Sequence, residues 1–469
     1  MPYTTSLKNT LLALVAFTSC SKMVDIKVPF QILITDKVFS NTEDARSAVA
    51  GMFYTMGQSG ENFSNASTTI LCGMSADELR PFLEGADNYS QFRLNSLTDA
   101  NALLYTNLWA PAYKVIYNAN AVITQLHQSE AISQNNRDSL MATARFVRAF
   151  VYFNLVNYFG DVPLVTSIDY NKTATQGREK TNLLYDHIIR DLTIAQAFLP
   201  EKYQHQQRVM PTKWAAKALL ARAYLYTKQF AKAIAEADTV ISQPALYELS
   251  GNLSNVFSVS SREAIWQLEA NSKTVSGNVT LEGLRFLPFP AVTQSQPSYY
   301  LTQSLTQQFE TGDKRLAEWT VVNSYQAGHY RLPYKYKEGR AQQAAGAAPK
   351  EFNTVLRLAE LYLIRAEACA QAGQVSQARA DVNKIRSRAG LQELTADTRE
   401  RLMQALQQEK QKEFFAEWGH RWMDLKRWDL ANEILAPQKG SNWQPTDQLY
   451  PLPVTELSFA PNLTQNPGY

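Results

Sequence analysis

Apolar residues recur about every three or four positions over several long stretches of the chain, the spacing of an amphipathic helix. In residues 137–159, Leu140, Ala144, Val147, Val151 and Leu155 fall on one face. Gly160 and Pro163 end that run, since glycine tolerates a left-handed cap and proline withholds an amide. Leu103–Leu126 reads as its partner helix. Ala45–Met56 reads as a shorter one, started at Thr42 with Glu43 and Asp44 in the first turn. Thr181–Leu199 is another. Two helical hairpins are then discernible, Lys213–Thr227 with Phe230–Ser242 and Asn353–Ala372 with Val375–Arg388. They align without gaps, so that Ala221, Ala223, Phe230 and Ala233 correspond to Ala366, Ala368, Val375 and Ala378. Small residues at matched points let antiparallel helices approach closely, which is tetratricopeptide-like packing. Such a hairpin cannot bury its apolar face alone, so the pattern predicts a contiguous helical scaffold.

The periodicity lapses elsewhere. Residues 244–352 hold a β-like piece (Glu263–Leu268), a low-complexity run (Ala341–Pro349) and many aromatics. Arg80–Phe92 is a second irregular stretch, and Leu449–Tyr469 is a proline-rich, extended tail. Long irregular segments on a rigid scaffold are where binding function tends to reside.

Composition changes this picture little. The chain is 45% hydrophobic and 19% charged, as a globular protein is, and its net charge of +3 gives no reason to name nucleic acid as a partner. The N-terminus changes it more. Lys8, the apolar run Leu11–Phe17 and the small residues Thr18 and Ser19 outline a secretory signal over residues 1–19, too short to span a bilayer. Cys20 follows directly, as in the bacterial lipoprotein signal, where that cysteine takes the lipid. Residues 20–41 then form a tether, and the mature chain is anchored to a membrane without crossing it. Cys72 and Cys369 form no CxxC pair, which argues against a zinc or redox motif. They stay open as disulfide partners, although Cys369 sits on an apolar helical face and reads as a buried free thiol.

Charge and tryptophan concentrate in Glu409–Trp428, EKQKEFFAEWGHRWMDLKRW, where Gly419 is placed to stop a helix. This run resembles the C-terminal signature of the SusD/RagB family of outer-membrane nutrient-binding lipoproteins. The Cys20 signal, the Ala144–Val165 helix ending in Gly-Asp-Val-Pro, and the terminal Asn462, Leu463 and Gln465–Tyr469 resemble that family in the same order. The resemblance implies a mainly α, SusD-like scaffold of tetratricopeptide-like hairpins, with a long irregular, loop-rich ligand-binding region and few short strands. It divides the chain into a helical region (42–243), an insertion (244–352) and a C-terminal helical region with a docking tail (353–469). It also implies a lipid-anchored protein of the cell outer membrane that caps a SusC-type TonB-dependent transporter and delivers oligosaccharide, or in some members peptide, without a cofactor.

Catalytic motifs are sparse. The histidines are scattered without an HExxH, and neither a GxxxxGK[ST] phosphate loop nor a G-x-S-x-G elbow occurs. Glu409 and Glu413 at i,i+4 would share a helical face, and retaining glycosidases need carboxyls about 5–5.5 Å apart. A surface glycoside hydrolase is therefore one alternative, and a protein-binding tetratricopeptide-like scaffold is another. The pair, however, continues the apolar face of Leu402, Leu406 and Ala416, where carboxylates are usually paired. We expect Glu413, Glu417 and Asp424 to pair with Arg421 or Arg427 and to clamp the tail against the helices. Sugar binding needs flat aromatics for C–H faces and polar groups for the rim. The candidates are Arg80, Phe82, Asn88 and Tyr89 in the first loop, and Phe286, Phe289, Trp319 and Tyr325 in the insertion.

Overall fold

Helices form where the periodicity places them: Thr42–Met56, Gln134–Phe159, Thr181–Phe198, Lys213–Tyr226, Phe230–Ile241 and Val375–Arg388. The computed structural model describes residues 38–57, 60–85, 87–203, 207–269, 279–340 and 348–469. Cys20, its signal and most of the tether lie outside the described residues, as does most of the low-complexity run. The expected Leu103–Leu126 helix opens with a wide π turn, Leu104–Trp109, and continues as Ala110–Gln128.

The Asn353–Ala372 expectation needs correction, because only Leu358–Gln371 is helical and Asn353–Arg357 is a strand. A short apolar run buried on both faces carries no period that separates strand from helix. Among the described residues the strands make three antiparallel pairs: β1 (Leu79–Pro81) with β3 (Tyr299–Leu301), β2 (Ala264–Leu268) with β6 (Asn353–Arg357), and β4 (Thr320–Tyr325) with β5 (Gly328–Pro333).

From Ala110 to Ile241 each long helix packs on the next, and Leu358–Gln371 packs on both Phe230–Ile241 and Val375–Arg388. The two hairpins thus join into one stack across the insertion. Ala221, Ala223, Ala233, Ala366, Ala368 and Ala378 are all fully buried at the seams, as close approach demands. Cys72 and Cys369 are buried free thiols. Among the described residues no helix is long and apolar enough to cross a membrane.

The hairpin turns show what the alignment meant locally. Lys228 (φ 57) and Gly373 (φ 79) stand at matched positions, both left-handed. A side chain costs about 1–2 kcal/mol there, of which the greater flexibility of unfolded glycine would return about 0.5–1. Lys228→Gly is therefore expected to stabilise by roughly 0.5–1 kcal/mol. The urea midpoint should rise with the slope unchanged.

The tail docks as a strap. Asn466 Nδ2 donates to the Phe159 carbonyl at 2.9 Å and to the Tyr450 carbonyl at 2.8 Å, while its Oδ1 accepts from Arg178. Asn462 Nδ2 donates to the Thr175 carbonyl at 2.6 Å. The Tyr450 ring stacks on Trp422 at 5.8 Å. The Asn-Pro-Gly-Tyr end thus caps carbonyls that the Gly160 corner leaves open.

Candidate ligand-binding site

The Glu409–Trp428 run builds a buried corner. The Arg399–Phe414 helix stops at Phe414, before Gly419, because Ala416 (φ 49), Trp418 (φ 46) and Gly419 (φ 68) are all left-handed. A second helix, His420–Arg427, starts at Gly419. Glu413 Oε1 accepts from Arg357 at 2.6 Å and from Arg388, and its Oε2 accepts from Arg315 at 3.1 Å. Glu417 takes Arg357 at 2.9 Å and Lys335.

The expected pairing is therefore corrected. Arg421 holds Asp77 through two bonds of 2.8 and 2.9 Å, and only Asp424 meets Arg427, which also grips Glu367. The partner choice follows from the fold, which sets Arg315, Lys335, Arg357 and Arg388 against this helix and points Arg421 and Arg427 at Asp77 and Glu367. Six cations (Arg315, Lys335, Arg357, Arg386, Arg388, Lys412) form one connected ion-pair network with six carboxylates (Glu263, Glu310, Asp313, Glu409, Glu413, Glu417). It ties the insertion to the helical scaffold rather than clamping the tail. Burial would raise the Glu413 carboxyl, but Arg388, Arg357 and Arg315 override it and hold it well below the ordinary range. Glu409 and Glu413 are both fully buried within this network, and the lowered Glu413 carboxyl is ill suited to be the protonated acid of a glycosidase pair.

The aromatic candidates separate by burial. Trp319 is fully buried, donates from Nε1 to the Leu253 carbonyl at 2.9 Å, and lies 4.7 Å from the Lys335 ammonium. It supports the network and touches no ligand surface. Phe286 is buried against Tyr299, and Tyr89 packs on Tyr299 from another side while its hydroxyl donates to Glu61 at 3.1 Å. These two fill the inner side of β3. Asn88 begins the short Asn88–Leu94 helix, its carbonyl accepting from Asn101. Phe289 is 59% exposed and joins no ring cluster among the described residues.

Phe82 and Tyr325 do come together, with two rings not chosen from sequence. Strand alternation turns Leu79, Pro81, Tyr299 and Leu301 inward and leaves Arg80 and Tyr300, opposite each other in the ladder, facing out. The Phe82 amide extends the ladder to the Ser298 carbonyl at 2.8 Å. Its ring lies 5.6 Å from Tyr325 and 5.2 Å from Tyr330, and Tyr330 lies 5.2 Å from Tyr300. All four rings are half-buried and meet at steep angles, so they present a corrugated aromatic surface. Gly328 makes this possible, because a Cβ there would come within 2.5 Å of the Tyr330 hydroxyl.

A cleft of about 490 Å³ opens beside these rings, lined by Asp77, Arg80, Arg93, Tyr300, Ser304 and Lys439 among others. Burial would raise the Asp77 carboxyl, and Arg421 overrides it to hold the group below its usual value. Burial pushes the Lys439 ammonium down to about 7, with Asp77 opposing and Arg93 and Arg80 adding to the effect. Another cavity of about 500 Å³ lies between the helical stack and the tail, lined by Tyr185, Tyr226, Lys426 and Arg427 among others.

Sequence reasoning passed over Tyr300, Tyr330, Arg93 and Lys439. The available signal was the pair of β-prone runs on either side of the Gln326–Ala327 turn, which would have marked a hairpin and set Tyr330 opposite Asn323.

Residues 36–225 match a SusD-like family model described as starch-binding and associating with the outer membrane, and residues 292–469 match the model of the SusD family. The chain belongs to the SusD/RagB family. SusD-like protein P2 of Formosa agariphila is 28% identical to it over 98% of both chains. The SusD fold recurs in a superfamily member from Bacteroides vulgatus, at TM-score 0.79 and 20% identity, over 92% of this chain and 100% of that one. A laminarin-binding SusD-like protein superposes at TM-score 0.78 and 22% identity, over 91% of this chain and 99% of its own. The SusD/RagB signature run is, in this chain, the network corner. The aromatic surface stands at the end of the insertion that this corner holds in place.

Proposed function

We propose that the chain captures oligosaccharide on the Phe82, Tyr300, Tyr325 and Tyr330 surface and hands it to a SusC-type TonB-dependent transporter, held at the outer membrane by a lipid on Cys20. The observation that carries the reading is the half-buried ring cluster whose Tyr300 also lines a polar cleft. Pyranose C–H faces pack on rings, and the cleft's Arg80, Thr302 and Ser304 offer partners for hydroxyl groups. The starch-binding description of the family and the laminarin-binding relative support a glycan as ligand. The surface rests on a rigid ion-paired core, so binding spends little free energy on ordering the site.

Tyr300→Ala and Phe82→Ala are each expected to weaken retention in laminarin or starch affinity gels about 10-fold, which is about 1.4 kcal/mol. Unchanged retention, or release of free sugar by the wild type, would refute the binding reading. Co-purification of a large β-barrel partner from membranes tests the handover.

A further inference from the structure

We infer that the glycan taken by this site is acidic, carrying carboxylate or sulfate groups along its sugar backbone. The inference rests on the aromatic surface being the glycan site and adds the ligand's charge. Arg80 and Tyr300 face each other across the β1–β3 ladder and both line the cleft, so a sugar seated on the ring has the guanidinium beside it. Two guanidinium groups, Arg80 and Arg93, line the cleft beside Lys439, an amine that burial pulls down to about 7, against one carboxylate, Asp77.

That carboxylate is already committed to Arg421 through two hydrogen bonds. Arg93 has a half-exposed Glu84 at 3.6 Å, and its Nε is buried without a partner. Arg80 is exposed and enters no ion pair among the described residues. Among the described residues Lys439 Nζ donates to the carbonyls of Met74 at 2.8 Å and of Arg93 at 2.7 Å, two bonds for its three N–H groups.

The contrast with the network corner is the argument. There, six cations meet six carboxylates; here the exposed Arg80 guanidinium enters no ion pair among the described residues, and Arg93 has only the half-exposed Glu84 at 3.6 Å. A cleft with low-dielectric walls and surplus positive charge concentrates anions, and guanidinium groups match carboxylate and sulfate oxygens in pairs. A neutral sugar would leave that surplus unanswered.

Affinity gels with the full chain would pair polygalacturonate with its methyl ester, and dextran sulfate with dextran, so that each arm isolates one anionic group. Polyglutamate serves as the acidic peptide arm. The expected result is retention by an acidic polymer at least 10-fold stronger than by its neutral counterpart, a gap of about 1.4 kcal/mol. That preference should be lost in Arg80→Ala, with the melting temperature unchanged, and kept in Lys114→Ala, an equal charge change on an exposed helical face. Added salt should weaken the acidic arm alone. Equal retention by neutral and acidic glycans, reduced by Tyr300→Ala, would overturn the inference and leave the glycan reading standing. Retention by polyglutamate alone would overturn both in favour of a peptide site, and retention by none of the polymers would overturn the acidic-glycan inference, leaving the glycan reading to the laminarin and starch gels.

Discussion

Glu413→Gln is expected to lower the stability of the folded protein by about 3–5 kcal/mol, the cost of removing one partner from a buried ion-pair cluster. Glutamine keeps the shape and loses the charge, so Arg315, Arg357 and Arg388 remain packed around a neutral amide. The linkage sign is determined by the direction of the shift. The folded Glu413 carboxyl lies below its ordinary value of 4.5, so its contribution is present above that pH and is lost as pH falls toward the folded value. The gap in urea midpoint between wild type and variant should be constant at neutral pH and narrow on acidification below about 4.5. An unchanged melting temperature together with loss of a glycan-cleaving activity would sink the structural role and restore the hydrolase alternative.

Gly419→Ala should be nearly as damaging. The residue is left-handed (φ 68), and a Cβ would lie 2.6 Å from the Cβ of Cys72 and 3.0 Å from its sulfur. The backbone term is about 1–2 kcal/mol and overpacking adds about 1–3, so a loss of roughly 2–5 kcal/mol is expected. Adding Cys72→Ala removes the sulfur contact only, since alanine keeps the offending Cβ, and should restore less than half. A change within about 0.5 kcal/mol for Gly419→Ala, the range of an ordinary surface substitution, would contradict this account of the corner.

These two positions also show how far the chain could be read in advance. Gly419 was legible as a left-handed corner, because glycine between charged helices has a local meaning. Its companions Ala416 and Trp418 were not, since no local preference puts those residue types at positive φ. The strand at Asn353–Arg357 was missed for a related reason: its residues are buried on both faces, so no alternation marks them. Among the aromatics, type carried no information about exposure. Trp319 was a reasonable ligand candidate and is fully buried, whereas Tyr330, eleven residues on, is half-buried in the ring cluster.

What the sequence determined by itself is whatever depends on neighbours along the chain. This covers the helical hairpins and their alanine seams, the Gly160 stop, the family signature and the burial of the Glu409–Glu413 face. Only the tertiary structure decided which charges pair and which rings meet. Glu413 joins Arg315, 98 positions away, in place of Arg421 or Arg427 nearby, and Phe82 meets Tyr330 from the far side of the insertion. The physical reason is that a buried charge takes whichever counter-ion the fold delivers with good geometry, and a ring is a core group or a binding surface according to which side of its strand meets water.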